Sequence, residues 1–434
     1  MARSFASGCY VLRVENRLSV LFVGINYSPE STGIAPYTAG LARELVSRGM
    51  RARVISSFPH YPQWAFHERT PPRSRVGDEE GVRVDRRRHK LPSRPGGMAR
   101  ALSELSFGLA AVTARFGRPD VVVLVSPALI STAIALLKAK FITRRPAVIW
   151  VQDLYTLGLR ELGGAKAGLA ARMIGSLERW CLRAADRVVV IHERFRDTLV
   201  EEIGVPFAAV AVVRNWSHLE DLPSADRDQV RRRLGWAPDE FVVLHAGNMG
   251  VKQGLENVVE AARLAAGEER SVRFVLLGDG NQRQSLAELA HGVLAVSMVG
   301  SLPDAEFRDA LGAADALLVN EKAGVAGMAV PSKLTSYFST GLPVIAATDS
   351  GSVTESEVLL AEAGLVVPAA DPRALLDAAE ELAADPRRAR DFGENGRRFR
   401  ATTLAPRVSF DTFTRLLREL AAEGGSSFKK SGTV

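Results

Sequence analysis

The stretch that decides the fold is "VVLHAGNMGVKQGLENVVEAA", Val242 to Ala262. An apolar strand, Phe241–Ala246, ends in a turn holding Gly247, Gly250, Lys252 and Gly254, and a helix follows. Glycine permits close backbone approach and dihedrals that other residues avoid. Amides at a helix start favour an anion and a lysine adds a point charge, so the turn suits a phosphate. Its spacing, G-x-x-G-x-x-x-G, is neither the G-x-G-x-x-G of a dinucleotide site nor the G-x-x-x-x-G-K-[ST] of a triphosphatase loop. Alone, such a turn is as often structural as functional.

On both sides of it, strand-like and helix-like segments alternate. Leu18–Gly24, Arg53–Ser56, Val121–Val125, Ala147–Val151, Arg187–Ile191 and Val210–Val213 precede the turn. Val272–Leu277, Ala295–Val299, Ala316–Val319, Pro343–Ala346 and Gly364–Val367 follow it. Repeated strand–helix units imply parallel sheets covered by helices on both faces. The polar, Arg-rich Asn215–Pro238 interrupts the alternation. The predicted class is α/β, two Rossmann-like parallel-sheet lobes with an interlobe cleft. The predicted organisation is a disordered leader 1–17, a first lobe 18–213, a linker 214–238 and a second lobe 239–406. A final helix 407–424, able to pack back onto the first lobe, and a tail 425–434 complete it.

Composition agrees: 434 residues, 47% hydrophobic and 24% charged, describe a soluble chain with a sizeable core. Cys9 and Cys181 are too few for a disulfide framework or a zinc site, which points to a reducing, cytoplasmic setting. "MARSFASGCY" ends like a lipoprotein cleavage box, but no apolar core of roughly 7–15 residues precedes Cys9. Val121–Lys140 approaches membrane-spanning length, yet Ser126 and Pro127 split it into a strand and a helix.

Open parallel sheets bind ligands at the carboxyl ends of their strands. Three more Gly-rich segments stand at such ends: "FVLLGDGNQ" (Phe274–Gln282), "VSMVGSLP" (Val296–Pro303) and "VNEKAGVAGMAVPSKLTSYFSTGLPVIAA" (Val319–Ala347). Pro331 suits a first helical turn, and Ser332 can cap the amides there or leave them to a phosphate. Four strand-end loops with two anion-binding helix starts make coincidence a poor account.

The order of these pieces resembles the nucleotide-binding half of two-lobed (GT-B) glycosyltransferases, specifically the large retaining family 4. In the first lobe, "LFVGINYSPESTGIAPYTAGLARELVSRG", "VISSFPHYPQW" and "WVQDLYTLGLRELG" are similar to the subgroup that builds bacterial surface polysaccharides. Within it they resemble transferases of N-acetyl-L-fucosamine and related sugars in O-antigen and colanic-acid assembly. The resemblance implies a UDP-sugar donor, which is a substrate and not a cofactor; no cofactor and no metal are expected. It implies that Lys252, with Gly247, Asn248 and the amide near Gly250, holds the diphosphate and stabilises the leaving group. Backbone around Gly278 and around Gly300–Leu302 would hold the base, and Gly327, Met328, Ser332, Lys333 and Leu334 would face diphosphate and sugar. Two departures stand out. Asn248 occupies a position that often carries arginine, for which Lys333 is expected to substitute in part. The family's paired glutamates fall at Met328 and Ser336, so ribose would meet only the Ser336 hydroxyl.

Asp153, at the end of Ala147–Val151, is the first-lobe catalytic candidate, able to orient an acceptor hydroxyl or stabilise an oxocarbenium ion; helix capping is the alternative. Gly33 and Tyr37, at the first strand–helix turn, His60 in "FPHYPQW", and His192–Glu193 after "DRVVVI" are the acceptor candidates. Asp226-Arg-Asp228 matches a metal-binding Asp-x-Asp, but after Pro223 it reads better as a helix cap. Without a metal, Lys252 and helix-start amides must neutralise the departing diphosphate.

The net charge of +7 permits an anionic partner. Arg69–Arg100 carries ten Arg/Lys against four Asp/Glu, and Leu102, Leu105, Leu109, Val112 and Phe116 then follow at helical spacing. A basic loop beside an apolar helix could rest on the anionic inner face of the plasma membrane, at about 1 kcal/mol per basic side chain. The resemblance makes that useful, because the subgroup glycosylates polyprenyl-diphosphate-linked saccharides. The alternative packs the stripe into the lobe. No nucleic-acid module accompanies the charge. Competing functions are a sugar-nucleotide epimerase of the same fold, for which the seven histidines offer no evident acid–base array, and a non-catalytic nucleotide-sugar-binding partner protein.

Overall fold

The computed structural model describes residues 17–30, 33–61, 63–92, 97–155, 168–216, 226–325 and 332–430. The expected leader, apart from Arg17, lies outside them, as does 217–225 of the expected linker. The chain divides into two compact units, 1–149 with 414–434, and 150–413.

Fourteen strands form two sheets among the described residues. The first sheet comprises β1 (Ser19–Val23), β2 (Arg51–Ser57), β3 (Ser74–Glu79), β4 (Val82–Arg87), β5 (Val121–Val125), β6 (Ala147–Val151), β7 (Arg187–Val190) and β8 (Val210–Val212), in the order β3-β4-β2-β1-β5-β6-β7-β8. Central β1 pairs in parallel with β2 on one side and β5 on the other. Its Val20, Leu21 and Phe22 are buried, as are all five residues of β5, which is why these strands read as unbroken apolar runs. The edge hairpin of β3 and β4 is antiparallel. Its sequence gave no strand signal, because all but one residue of β3 are exposed. Part of the basic segment expected as a loop is therefore strand: Arg86 is buried and holds Glu79, and Arg87 pairs with Asp85.

The second sheet comprises β9 (Phe241–Ala246), β10 (Val272–Leu277), β11 (Val296–Val299), β12 (Ala316–Asn320), β13 (Val344–Thr348) and β14 (Gly364–Pro368), in the order β11-β10-β9-β12-β13-β14. Every pairing is parallel. Period-two alternation serves two cores: Val242 and Leu244 join one layer with Val275, Leu317 and Phe338, while Val243 joins the other with Phe274, Leu276 and Ile345. Strand order reverses between β9 and β12, so their carboxyl ends are where an open sheet offers its ligand crevice.

The Val121–Lys140 segment is β5 followed by the helix Leu129–Leu137. Among the described residues no helix is long and apolar enough to cross a membrane. The helix Gly97–Thr113 buries Phe107, Gly108 and Ala111 and leaves Leu102, Leu105 and Leu109 exposed at 46%, 39% and 54%. Gly108 explains the choice of face. A Cβ there would stand 2.8 Å from Ile134 and 3.0 Å from the Ser131 backbone, so the helix docks through its small residues and the leucines face outward. Of the expected stripe, Phe116 is buried.

The last helix runs from Pro406 to Lys430. Within the first unit, Arg48 donates to the Thr414 hydroxyl at 3.4 Å. Within the second, Phe413 meets Trp150 edge-on, Phe410 meets Trp216, and the Ser409 hydroxyl donates to the Arg214 carbonyl.

Candidate functional site

At the carboxyl end of β9 the chain turns through Gly247, with φ +126°, against the loop that leaves β10. The Gly247 amide donates to the Leu277 carbonyl and the Met249 amide to that of Asp279. A Cβ on Gly278 would lie 2.0 Å from the Gly247 oxygen, and one on Gly280 2.4 Å from the Met249 oxygen. These glycines let two loops share one surface. The loop after β12 joins them. Asn320 donates to the carbonyls of Gln253 and Gly254, and the Lys322 amide donates to the Lys252 carbonyl at 2.9 Å. Tyr337 pins the strands from below, its hydroxyl accepting from the Ala246 amide at 2.9 Å and lying 3.3 Å from the Leu318 carbonyl.

The side chains of the turn are arranged around Gln253, a residue the sequence reading passed over. Its Oε1 accepts from the Gly250 amide at 3.0 Å and from Asn248 Nδ2 at 3.4 Å. Asn248 and Gly250 are thus brought together, but the amide expected at the diphosphate is engaged by the turn itself. Lys252 stands exposed on the single turn Val251–Gln253.

Beneath the turn, Lys333 meets partners that sequence did not reveal, His245 and Glu321. Lys333, in the first turn of the helix Ser332–Thr340, comes within 3.4 Å of the space a Gly247 Cβ would fill. Its Nζ donates to His245 Nε2 at 2.9 Å. Burial lowers the Lys333 ammonium to about 7, although the Glu321 carboxylate raises it. Burial, then the Lys333 charge, holds His245 well below its usual value and so neutral. Glu321 is raised by burial in spite of hydrogen bonds from Thr348 and Thr354. A cation beside a glycine turn, tunable near neutral pH, can oppose the charge that develops on a departing phosphate.

The other donor-side expectations divide. The Leu334 side chain is buried in the core, and Leu302, whose backbone is the group expected at the base, packs partly buried against the same cluster. Gly300 follows β11, and Ser336 lies partly buried on the Ser332–Thr340 helix. Gly327 and Met328 lie outside the described residues, as does the side chain of Ser332.

Around the first sheet, Gly33 has φ +64° and open space where its side chain would be, immediately before the helix Ala35–Ser47. Tyr37 on that helix is buried, which pushes its hydroxyl up to about 12. His60 is buried as well, not on the loop surface. Glu30 explains this: its Oε1 accepts from the amides of His60 and Tyr61 at 2.8 and 2.9 Å and turns the loop inward. Burial depresses the His60 pKa in spite of Glu30, 3.3 Å from Nδ1. Asp153 is exposed just beyond β6, after Gln152, which exchanges two hydrogen bonds with Asn215.

His192 caps the helix Glu193–Thr198, its Nδ1 accepting from the Arg194 amide. Its Nε2 lies 3.0 Å from Glu357, whose carboxylate also meets Arg214 at 2.8 Å. Both Glu193 oxygens take Arg214 Nη1. Burial raises Glu193, but the Arg214 charge and hydrogen bonds outweigh it and hold the carboxyl below its usual range. Donor atoms of His192, Glu193 and Glu357 lie within 4.8 Å of one another, a spacing a metal could use, and the Arg214 guanidinium is the cation those carboxylates meet. Asp226 caps the helix Arg227–Leu234 through the amides of Asp228 and Gln229, as expected.

Comparison with known proteins agrees with this architecture. Residues 32–216 match the glycosyl transferase 4-like domain, and residues 226–399 match the glycosyl transferases group 1. The Escherichia coli protein WcaI, designated a colanic acid biosynthesis glycosyl transferase, is 32% identical over 75% of this chain and 82% of its own length. Pseudomonas aeruginosa WbjE, designated a glycosyltransferase, is 28% identical over 70% and 76%. Among solved structures, sucrose-phosphate synthase from Thermosynechococcus elongatus superposes with TM-score 0.70 at 19% identity, covering 94% of this chain and 100% of that one. Anabaena HepE in complex with UDP gives 0.67 at 16%, covering 93% and 100%. WaaG, a glycosyltransferase of lipopolysaccharide biosynthesis, gives 0.63 at 14%, covering 91% and 99%. With both domains matched in order on two parallel-sheet lobes of the GT-B type, the chain belongs to the family 4 (group 1) glycosyltransferases.

Proposed function

We propose that this glycosyltransferase moves a sugar from a UDP-sugar, with retention of configuration, to a polyprenyl-diphosphate-linked saccharide during assembly of a bacterial surface polysaccharide. The observation that carries the donor side is the turn at the strand reversal, where Lys333 comes within 3.4 Å of the space a Gly247 Cβ would fill and Lys252 stands exposed on the same loop. Lys252 meets the diphosphate, and Lys333 opposes leaving-group charge in place of the arginine that Asn248 lacks. Structures of HepE hold UDP and UDP-glucose, and the relatives' designations include colanic acid and lipopolysaccharide biosynthesis, which supports the donor and pathway class. Asp153 is assigned the acceptor hydroxyl or the oxocarbenium ion, and no metal or other cofactor is assigned. With no covalent nucleophile nominated, front-face attack within an ion pair is the favoured route. Gly33, Tyr37, His60, His192 and Glu193 are the residues assigned to the acceptor.

The acceptor reading places the protein in the cytoplasm on the inner face of the plasma membrane. The exposed leucines of Gly97–Thr113, with Met98 on that helix, support it. Calorimetric titration with UDP-, GDP- and TDP-sugars tests the proposal. It expects binding of a UDP-sugar, weakened roughly tenfold to a hundredfold in Lys252→Ala, the worth of a charged hydrogen bond. No binding of any of the three would overturn it. Turnover of a UDP-sugar with lipid-linked acceptor extract, lost in Lys252→Ala, separates a transferase from a non-catalytic binding protein.

A further inference from the structure

The opposite end of the first sheet carries a second concentration of positive charge that no donor or acceptor role uses. Ser19 opens β1, Arg51 opens β2, and Asp120 immediately precedes β5. Between these strand starts lies a cavity of about 320 Å³, lined by Arg51, Arg53 and Arg118 over a wall of Phe116. Asp120 is the one acid among the described residues that line it.

The acids here are already committed. Asp120 Oδ2 accepts from the Ser19 amide at 2.8 Å. Asp85, on β4, receives the Arg87 fork at 2.8 and 2.9 Å and gives Arg53 a longer contact at 3.3 Å. Arg53 Nε is buried with no hydrogen-bond partner among the described residues. Lys138 adds charge nearby: it lies 4.3 Å from the centre of the Phe116 ring and donates to the carbonyls of Val112 and Ala114. Burial lowers its pKa, and the charges of Arg87 and Arg53 lower it further. A part-buried guanidinium short of a counter-charge is costly, and an anion entering the cavity relieves it. The planar fork of arginine suits phosphoryl oxygens, and the volume admits a phosphate ester.

We propose that the cavity at the amino ends of β1, β2 and β5 is an anion site that takes a phosphate or phosphate ester, separate from the nucleotide cradle. Such a site serves any donor or acceptor alike.

Calorimetric titration of the full chain with inorganic phosphate, and separately with UDP, tests it. Arg51 and Arg118 are exposed, so Arg51→Gln/Arg118→Gln keeps the fold. Phosphate affinity is expected to fall at least about tenfold in that variant, with UDP affinity unchanged, and Lys252→Ala is expected to keep phosphate binding at this site. Equal phosphate affinity in parent and double variant would overturn the proposal, as would no phosphate binding by the parent. Sedimentation with phosphatidylglycerol vesicles then distinguishes the source. Loss of sedimentation together with phosphate affinity assigns the site to lipid headgroups; loss of phosphate affinity alone assigns it to soluble phosphate.

Discussion

Lys333 Nζ lies 2.9 Å from His245 Nε2, so a lysine shares its proton contact with a neutral, buried imidazole instead of with a carboxylate oxygen. That arrangement makes its charge responsive to pH near neutrality. With a pKa of about 7, the ammonium is charged below that pH and neutral above it. UDP affinity is therefore expected to fall as pH rises through 7, by roughly tenfold, the lower end of what one charged hydrogen bond supplies. Calorimetry across this range in the parent and in Lys333→Met checks it; an equally steep dependence in the variant would place the titration elsewhere. Stability carries the opposite signature. The folded pKa lies below the ordinary 10.5, so the unfolded chain binds more protons between the two values and stability rises with pH across about 7 to 10.5. In Lys333→Met that rise is expected to shrink.

Two glycines separate space from backbone strain. Gly278→Ala would put a Cβ 2.0 Å from the Gly247 oxygen at φ +136°, so both loops must move. Gly33→Ala meets open space at φ +64° and incurs only the left-handed conformation, about 1–2 kcal/mol. Denaturant unfolding is expected to show Gly278→Ala as the more destabilised by several-fold, with UDP binding lost. A Gly278→Ala protein of near-parental stability would mean that the loops do not pack this closely.

Tyr337→Phe removes a hydroxyl that serves the Ala246 amide in a fully buried setting. The amide is left unpaired, at a cost of about 1–3 kcal/mol. Because Ala246 leads directly into Gly247, weaker donor binding is expected beside the lower denaturation midpoint. Unchanged stability would show that another group takes up the amide.

Sequence alone made the sheets legible because parallel strands are buried on both faces and read as apolar runs; β1, β5, β9 and β12 all do so. It also located the glycine turns, since those stand where such runs stop. The polar hairpin β3–β4 escaped because an exposed edge strand needs no apolar pattern. Side-chain partnerships escaped for a different reason. Nothing in "NMGVKQG" reveals that Gln253 captures the Gly250 amide, and nothing in "LHAG" reveals that His245 meets a lysine far along the chain. His60 reads as a loop histidine until Glu30, after another strand, turns its loop inward. Lys252 stays where the sequence put it, exposed on its turn, and its chemistry is the part that binding experiments decide.

The helix Gly97–Thr113 provides the last test, of membrane contact. Periodicity could place Leu102, Leu105 and Leu109 on one face, but Gly108 decides that the other face packs. Three leucines and Met98 are thereby left in solvent, where each gains up to about 2 kcal/mol by entering a lipid interface. Leu102→Glu/Leu105→Glu/Leu109→Glu is expected to abolish sedimentation with phosphatidylglycerol vesicles at low salt. Because these side chains contribute little to the core, the thermal midpoint should stay within a few degrees of the parent and UDP binding should be retained. A variant that still sediments would remove this helix from any membrane role, and a parent that ignores the vesicles would remove the membrane itself.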